Sequence, residues 1–350
     1  MKSIIKIISP KYYIKYITEK YYLVKVNTFN LFINREYEDI NEVKAPMILI
    51  SEVQRSGGTL LSQLFDGHHN CLVHPSEIMI NHSKYIWPNI DMNNSCDIVF
   101  KLLKLKEEHM IHKFLINRYS KLSAGRGEKI KTLPFCFDKK KFNYFFSMLC
   151  SSSKPSTQRE ALNKYFSAYF FSWIDYQNLY TKKKYVVGFT PRVNMMPNNV
   201  DLFFRDYNDG FLISLIRDPR DWYASAKLHS LEYDSIDKSL DLWQLSVEQS
   251  IKNKEKYGSK VILINFESLL VNLDKTMKKL CTLIDLPFSN TLLNPTFNTM
   301  PIASVSSHRS STGVNQDAIG RYKKKLSKNE ITHIENRVID IYESSKKYCL

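Results

Sequence analysis

The chain has 350 residues, 43% of them hydrophobic and 24% charged, a globular composition with room for one large α/β domain or two small ones. Its formal net charge of +15 points to anionic ligands such as nucleotides, acidic glycans, nucleic acid or a membrane surface, although abundant Lys, Asn, Ile and Tyr equally fit a biased genome composition. Six cysteines without a C-x-x-C pair offer no disulfide framework or zinc site and fit a reducing, cytoplasmic setting.

Residues 1–45 read as an N-terminal extension packed on the domain that follows. The start, "MKSIIKIISPKYY", is too short in apolar residues for a secretory signal, and Lys6 and Pro10 interrupt it. "KYYIKYITEKYYLVKV" reads as an aromatic packing segment, with a membrane-surface helix as the alternative. No run approaches the roughly 18 apolar residues of a membrane span. The first strand is "PMILISEV" (Pro46–Val53), nearly continuous in apolar residues, as strands covered on both faces are. "TLLSQLFD" follows, with Leu60, Leu61, Leu64 and Phe65 on one helical face. "CLVHPSEIMI" should then return to the sheet edge.

Residues 98–181 carry helical patterns and read as an insertion on the sheet, not a separate domain. Three more strands come after it: "KYVVGFT" (Lys184–Thr190), "GFLISLIRD" (Gly210–Asp218) and "SKVILINFE" (Ser259–Glu267). The helix "SIDKSLDLWQLSVEQSIKNKEKYG" stops at Gly258, a natural C-cap. "ESLLVNLDKTMKKLCTLIDLP" reads as one helix ending before Pro287, and a polar loop then leads into a final helix. Alternating strands and helices predict a single α/β domain over 46–350, with a central, mainly parallel sheet flanked by helices.

The first strand runs into "QRSGGT" and then a helix. Gly57 and Gly58 permit positive φ and close approach of a ligand. The helix from about Thr59 adds its N-terminal dipole, which makes an anion nest, against the alternative of a plain tight turn. Ser56 and Thr59 offer hydroxyl donors, and Arg55 offers a planar fork suited to phosphate or sulfate oxygens. The Lys-Ser/Thr of a nucleoside triphosphate loop is missing, which argues against a P-loop kinase.

"RSGGTLLSQLFDGHHN" resembles the 5′-phosphosulfate loop of sulfotransferases that use PAPS (3′-phosphoadenosine 5′-phosphosulfate), of the form R-S-G-T-T-L-L followed by L-x-D-x-H-P. "LISLIRDPRDWYASAKLH" resembles that family's 3′-phosphate motif, with Arg217 at a strand end and Ser225 eight positions on. Arg220 and Asp221 are expected to hold the turn, and alone "RDPRD" also fits a salt-bridged turn. "ILINFESLLVNLDKTMKKLCTLIDLPF" is similar to the family's late strand–helix segment. "STGVNQDAIGRYKKKLS" resembles its C-terminal loop, although a solvated basic helix start reads alike. The matched stretches run from Pro46 to Ile339, without the helical insertion.

The resemblance implies a P-loop-like sulfotransferase fold with the insertion shaping the acceptor site. Arg55, Ser56, Gly57, Gly58, Thr59 and Leu60 would surround the 5′-phosphosulfate, and Arg217 and Ser225 the 3′-phosphate. Gly320, Arg321, Tyr322 and Lys323 would cover the nucleotide, with Tyr322 on the sugar or base. It implies sulfuryl transfer to an acceptor hydroxyl, with PAP as the product and no metal needed; His109 and His112 read as a helix face. Arg55 would stabilise the sulfonate, and Glu77 would be the base, with His74 as the alternative. His68 takes the place of the family's structural histidine, and His69 stands where proline is usual.

One position departs from the pattern. Many relatives have a lysine where this chain has Phe189, and Arg192 would supply the charge from another angle or lie on the surface. The acceptor is expected to be a carbohydrate or glycoconjugate, acidic glycans included. The alternatives are a small alcohol, a lipid or a tyrosyl peptide, or a PAP/PAPS-binding protein impaired in turnover. Nucleic acid is not an expected partner; a homo-oligomer is open.

Overall fold

The computed structural model describes residues 24, 42–78, 85–93, 137–179, 182–302 and 313–350. Five strands form one parallel sheet: β1 (Met47–Ile50), β2 (Cys71–Glu77), β3 (Tyr185–Phe189), β4 (Phe211–Ile216) and β5 (Val261–Asn265), in the order β2-β3-β1-β4-β5. Every pairing is parallel, with Ile50 opposite Phe189 on one side and Ile213 on the other. β1 therefore sits in the middle, and the loops leaving β1 and β4 emerge side by side at the C-terminal edge, where open α/β sheets bind ligands.

The four apolar runs all form strands because both faces of the sheet are covered. Met47 and Leu49 of β1 enter one core, together with Val186, Leu212, Val261 and Leu263. Ile48 and Ile50 enter the other, together with Val187, Ile213, Ile262 and Ile264. The period-two alternation of a strand divides each run between the two faces. β2 is the fifth strand, at the edge expected for "CLVHPSEIMI". It contains Pro75 and its register shifts between Val73 and Glu77, both of which an edge strand tolerates.

Helix α1 (Gly58–Asp66) packs Leu60, Leu61, Leu64 and Phe65 into the second core. In the insertion, α2 (Lys139–Ser152) and α3 (Gln158–Ser172) are described, capped by Asp138 and Thr157. The two helices bury Phe142, Phe146, Tyr165 and Tyr169 in the first core, alongside strand residues. The chain just before the sheet docks on α3 as well: the Val43 N–H donates to Ser167 Oγ (2.8 Å), and Lys164 pairs with Glu42 (3.3 Å). The packing expected for most of residues 1–45 and the helix expected over the first part of 98–181, His109 and His112 included, lie outside the described residues.

Further on come α4 (Pro197–Asp206), α5 (Pro219–Ala226) and α6 (Ile236–Tyr257). Gly258 ends α6 at φ 58°. The segment expected to be one helix after β5 is two, α7 (Phe266–Val271) and α8 (Leu273–Leu283). Asn272 breaks it at φ −118°, ψ 44°, a residue type whose short amide competes with helical bonding. A small hairpin, β6 (Thr296–Phe297) with β7 (Met300–Pro301), precedes the final helix α9 (Lys328–Ser345). Ser327 and Glu330 form a reciprocal capping box at the start of α9.

If the insertion shares the core, Phe142→Ala costs about 3–5 kcal/mol and shifts one unfolding transition as a whole. Denaturant unfolding followed by both circular dichroism and tryptophan fluorescence checks this. Two separated transitions would make the insertion an independent unit.

Candidate functional site

The loop after β1 is shaped by two positive φ angles, 76° at Arg55 and 119° at Gly57. Gly57 also lacks room for a side chain, since a Cβ there would lie 2.5 Å from the Phe266 ring. A Cβ on Gly58 would meet Glu52 Oε1 at 2.3 Å and the Phe189 ring at 2.5 Å. Gly57 is the N-cap of α1 without a side-chain cap, and the first turn holds no acidic residue. The N-terminal dipole of the helix is thus left without a side-chain cap, and the Gly58 N–H is taken by Glu52. Ser56 is buried and Thr59 half-buried beside them. Leu60, whose backbone belongs to the same turn, sends its side chain into the core.

Two distant motifs meet here. Arg55 Nε donates to Ser225 Oγ at 3.0 Å. Arg217 Nη1 donates to the Arg55 carbonyl at 2.8 Å, and Nη2 to the Ala318 carbonyl at 3.4 Å. The Arg217 guanidinium lies on the Phe266 ring, 4.8 Å from its centroid. Its Nε is buried without a hydrogen-bond partner among the described residues. Burial draws the Arg217 pKa down to about 10; Glu267 and Asp221 oppose this, and Arg55 and Arg321 add to it. Arg55 is drawn down too, chiefly by lost hydration, with Tyr233 opposing and Arg321 adding. Arg55, Arg217 and Arg321 therefore crowd positive charge into one cleft. An anion bound there would relieve their mutual repulsion.

The turn after β4 is held by Asp218, which accepts from the Arg220 N–H at 2.9 Å, whereas Asp221, expected to hold it, anchors the C-terminal loop. Its carboxylate accepts from the Gly320 N–H (2.7 Å) and the Tyr322 N–H (2.8 Å). Gly320 stands at φ 70°, and the loop delivers Arg321 to the cluster. Arg220 pairs with Asp218 (2.6 Å) and Glu335 (2.7 Å) and covers the Tyr322 ring at 4.7 Å. The Tyr322 ring is thus engaged by the protein's own guanidinium. Lys323 is exposed at the rim.

Phe189 ends β3 with its ring against Gly58, buried in the second core. Arg192 does not lie on the open surface. Its Nε donates to Gln54 Oε1 (2.5 Å), Nη1 to Glu232 (2.6 Å) and Nη2 to the Tyr233 hydroxyl (2.9 Å). It also lies over the Tyr85 ring at 4.5 Å. Burial alone would lower its pKa, but the hydrogen bonds to Glu232 and Tyr233 and their charges raise it overall. Its charge is therefore spent on bracing Gln54, the neighbour of Arg55.

The two candidate bases part company on β2. His74 is 1% exposed, its ring 4.8 Å from that of Tyr169. It lines a narrow cavity with Thr59, Gln63, Asp66 and Phe189. Glu77 is half-buried opposite Phe189 in register, with its charge felt by Tyr85. His68 Nε2 donates to the Pro287 carbonyl (2.7 Å), a structural contact, and its ring stacks on His69 at 4.8 Å.

Sequence reasoning passed over Glu52 and Glu267. Glu52 is 1% exposed and accepts the Gly58 N–H at 2.9 Å, so one loop amide already holds a carboxylate. The signal was an acid directly after an apolar run. Glu267 accepts from the Asp218 N–H (3.1 Å) and the Tyr342 hydroxyl (2.8 Å) behind Arg217. Burial raises its pKa first of all, while those bonds and Arg217 pull it down.

Among the described residues, no group of three His, Cys, Asp or Glu is placed to hold a metal ion, and no helix is long and apolar enough to cross a membrane. No curated protein is significantly similar in sequence. Solved structures are similar. The sulfotransferase domain from the Synechococcus PCC 7002 olefin synthase aligns with a TM-score of 0.50 at 14% identity, over 86% of this chain and 98% of that one. The sulfotransferase domain from the curacin biosynthetic pathway aligns at 0.45 and 16%, over 84% and 97%. A sulfotransferase from Mycobacterium avium aligns at 0.40 and 12%, over 90% and 81%. The profile of the sulfotransferase family matches residues 46–290, more than half of the chain. The chain is a member of the sulfotransferase family.

Proposed function

We propose that this sulfotransferase takes its sulfuryl group from PAPS and delivers it to an acceptor hydroxyl. The observation that carries the reading is the joining of the two motifs, Arg55 to Ser225 and Arg217 to the Arg55 carbonyl. A ligand with anionic groups at two ends fits a cleft whose cations come from both. The buried, unpartnered Arg217 Nε and the side-chain-free approach at Gly57 and Gly58 support the fit.

PAPS, when bound, supplies a sulfuryl group: the bond from the acceptor oxygen to sulfur forms as the bond from sulfur to the phosphate oxygen breaks, leaving PAP with the electron pair. The N-terminal end of α1 past Gly58, whose own N–H is taken by Glu52, would hold the 5′-phosphosulfate end together with the hydroxyls of Ser56 and Thr59. Arg55 would neutralise charge there, and preorganised charge of this kind lowers a barrier without reorganisation. Arg217, Ser225 and Arg321 would hold the 3′-phosphate. Glu77 is our choice for the group that takes the acceptor proton, because it is half-buried at the sheet edge while His74 is enclosed.

A second reading has its own observation. Phe189 contributes no charge, and Arg192 is held by Gln54, Glu232 and Tyr233. A chain lacking that cation would bind PAP and turn over slowly. The preference for a carbohydrate acceptor rests on the net charge and on the likeness of the R-S-G loop to one branch of the family.

Arg55→Ala and Arg217→Ala should each weaken PAP binding by about a hundredfold, a loss of roughly 2–3 kcal/mol for a charge-assisted contact. Titration calorimetry reads it, and unchanged affinity in both variants would sink the donor assignment.

Glu52→Gln keeps a hydrogen-bond acceptor for Gly58 but removes a negative charge from the loop. PAP should bind about fivefold tighter, on the order of 1 kcal/mol of relieved repulsion. Weaker binding would show that the carboxylate supports the loop's shape.

Glu77→Gln should cut single-turnover transfer from radiolabelled PAPS by about 10²–10⁴-fold and leave PAP affinity unchanged. If His74→Asn carries that loss instead, the proton goes to His74.

A further inference from the structure

One face of α1 is out of keeping with a buried helix. Thr59, Ser62, Gln63 and Asp66 recur at the three- and four-residue spacing of a single face. All but Thr59 are buried, and all four line the narrow cavity between α1, β2 and the β6–β7 hairpin. The Asp66 carboxylate is satisfied, by Thr296 Oγ1 and the Thr299 N–H, each at 2.9 Å. Gln63 is not. It is 5% exposed, and among the described residues neither its amide oxygen nor its amide nitrogen has a hydrogen-bond partner. A buried primary amide left without partners is destabilising. A site that keeps one has a use for its donor and its acceptor.

We propose that this cavity is a subsite for a neutral hydroxyl-bearing end of the acceptor, and that Gln63 is the residue that reads it. This rests on the sulfuryl-transfer reading given above. Position supports the assignment. Thr59 belongs to the anion loop and lines the same cavity, so a group seated there lies beside the donor end of the cleft. Size supports it as well: the space suits a group about as large as one water molecule. Chemistry narrows the class. A carboxamide offers both a donor and an acceptor, as a hydroxyl requires. Among the described lining residues there is no Lys or Arg to balance an anionic group. His74 and Thr296 complete the polar lining, and the remaining walls, Val73, Pro75, Phe189 and Phe297, are apolar and suit a carbon chain that leads out of the cavity. Phe189, which costs the site a cation, thereby gains a role as an apolar wall. An alcohol with a hydrocarbon body is the acceptor class favoured, and an acidic sugar is disfavoured.

The test compares the wild type with Gln63→Leu and Gln63→Asn, using 1-hexanol and glucuronic acid as probes. PAP affinity is measured by calorimetry. Contact with 1-hexanol is measured by saturation-transfer NMR on PAP-saturated protein, and transfer by radiolabelled sulfate from PAPS. The wild type should contact and sulfate 1-hexanol, with glucuronic acid at least about tenfold poorer. Gln63→Leu should keep PAP affinity and lose about tenfold or more in kcat/KM for 1-hexanol, the size of effect expected when a site built to bond a hydroxyl loses its partner. The shorter amide of Gln63→Asn should restore part of that loss. Retained hexanol transfer in Gln63→Leu, a preference for glucuronic acid, or no hexanol contact by PAP-bound wild type would each overturn the subsite while sparing the donor reading. A wild type that does not bind PAP would overturn the donor reading itself, and the subsite with it.

Discussion

The buried guanidinium of Arg217 is the constraint on which the site depends. It leaves the end of β4, donates to the Arg55 carbonyl of the β1 loop, reaches Ala318 of the C-terminal loop and lies on Phe266 after β5. Four parts of the chain are registered by one planar group. A lysine could not do the same, because its point charge lacks the fork that addresses several acceptors at once. Burial is unfavourable for that cation, and the protein meets the cost with acids placed behind it, Glu267 and Asp221. These acids are themselves tied down, Glu267 by Tyr342 and Asp221 by two loop amides. The result is a rigid frame with positive charge on its open side and negative charge in its backing.

The side of the cleft toward β2 and β3 is built on different terms. Arg192 is as firmly held as Arg217, but its partners surround it on all sides, and its work is to brace Gln54. Trp222 Nε1 fixes the Gln54 carbonyl from the other flank at 2.8 Å. Phe189 and His74 then make the cleft wall apolar and enclosed where the donor side is charged and open. The cleft thus passes from a cationic side to an apolar one.

Much of this was legible in the sequence. The four apolar runs are strands because parallel strands buried on both faces carry no polar alternation to confuse the reading. Arg55, Arg217 and Ser225 could be named from a resemblance of motifs, and the structure brings the three together. What could not be read was what stands opposite each residue. Tyr322 was expected to pack on a nucleotide, and its ring is under Arg220. Arg192 was weighed as a replacement charge, and it is a brace. Glu52 and Gln63 look like ordinary polar residues at a strand end and on a helix, and only the tertiary neighbours show one on a loop amide and the other unsatisfied. The split at Asn272 was missed for a local reason, since the apolar spacing continues across the break.

The tie between Asp221 and the backbone of Gly320 and Tyr322 has a consequence for how the protein is made. The contacts that complete the cleft join residues about a hundred positions apart, Asp221 to Gly320 and Arg217 to Ala318. Long-range contacts of this kind form late, because the intervening loop must be closed first. On the ribosome, the loop at Arg55 emerges long before the segment that delivers Arg321. A chain still being synthesised thus carries Arg55 and Arg217 without their third cation and without the loop's carbonyl at Ala318. The cleft is complete only once the C-terminal loop has been made, when the sheet that supports it has already been translated.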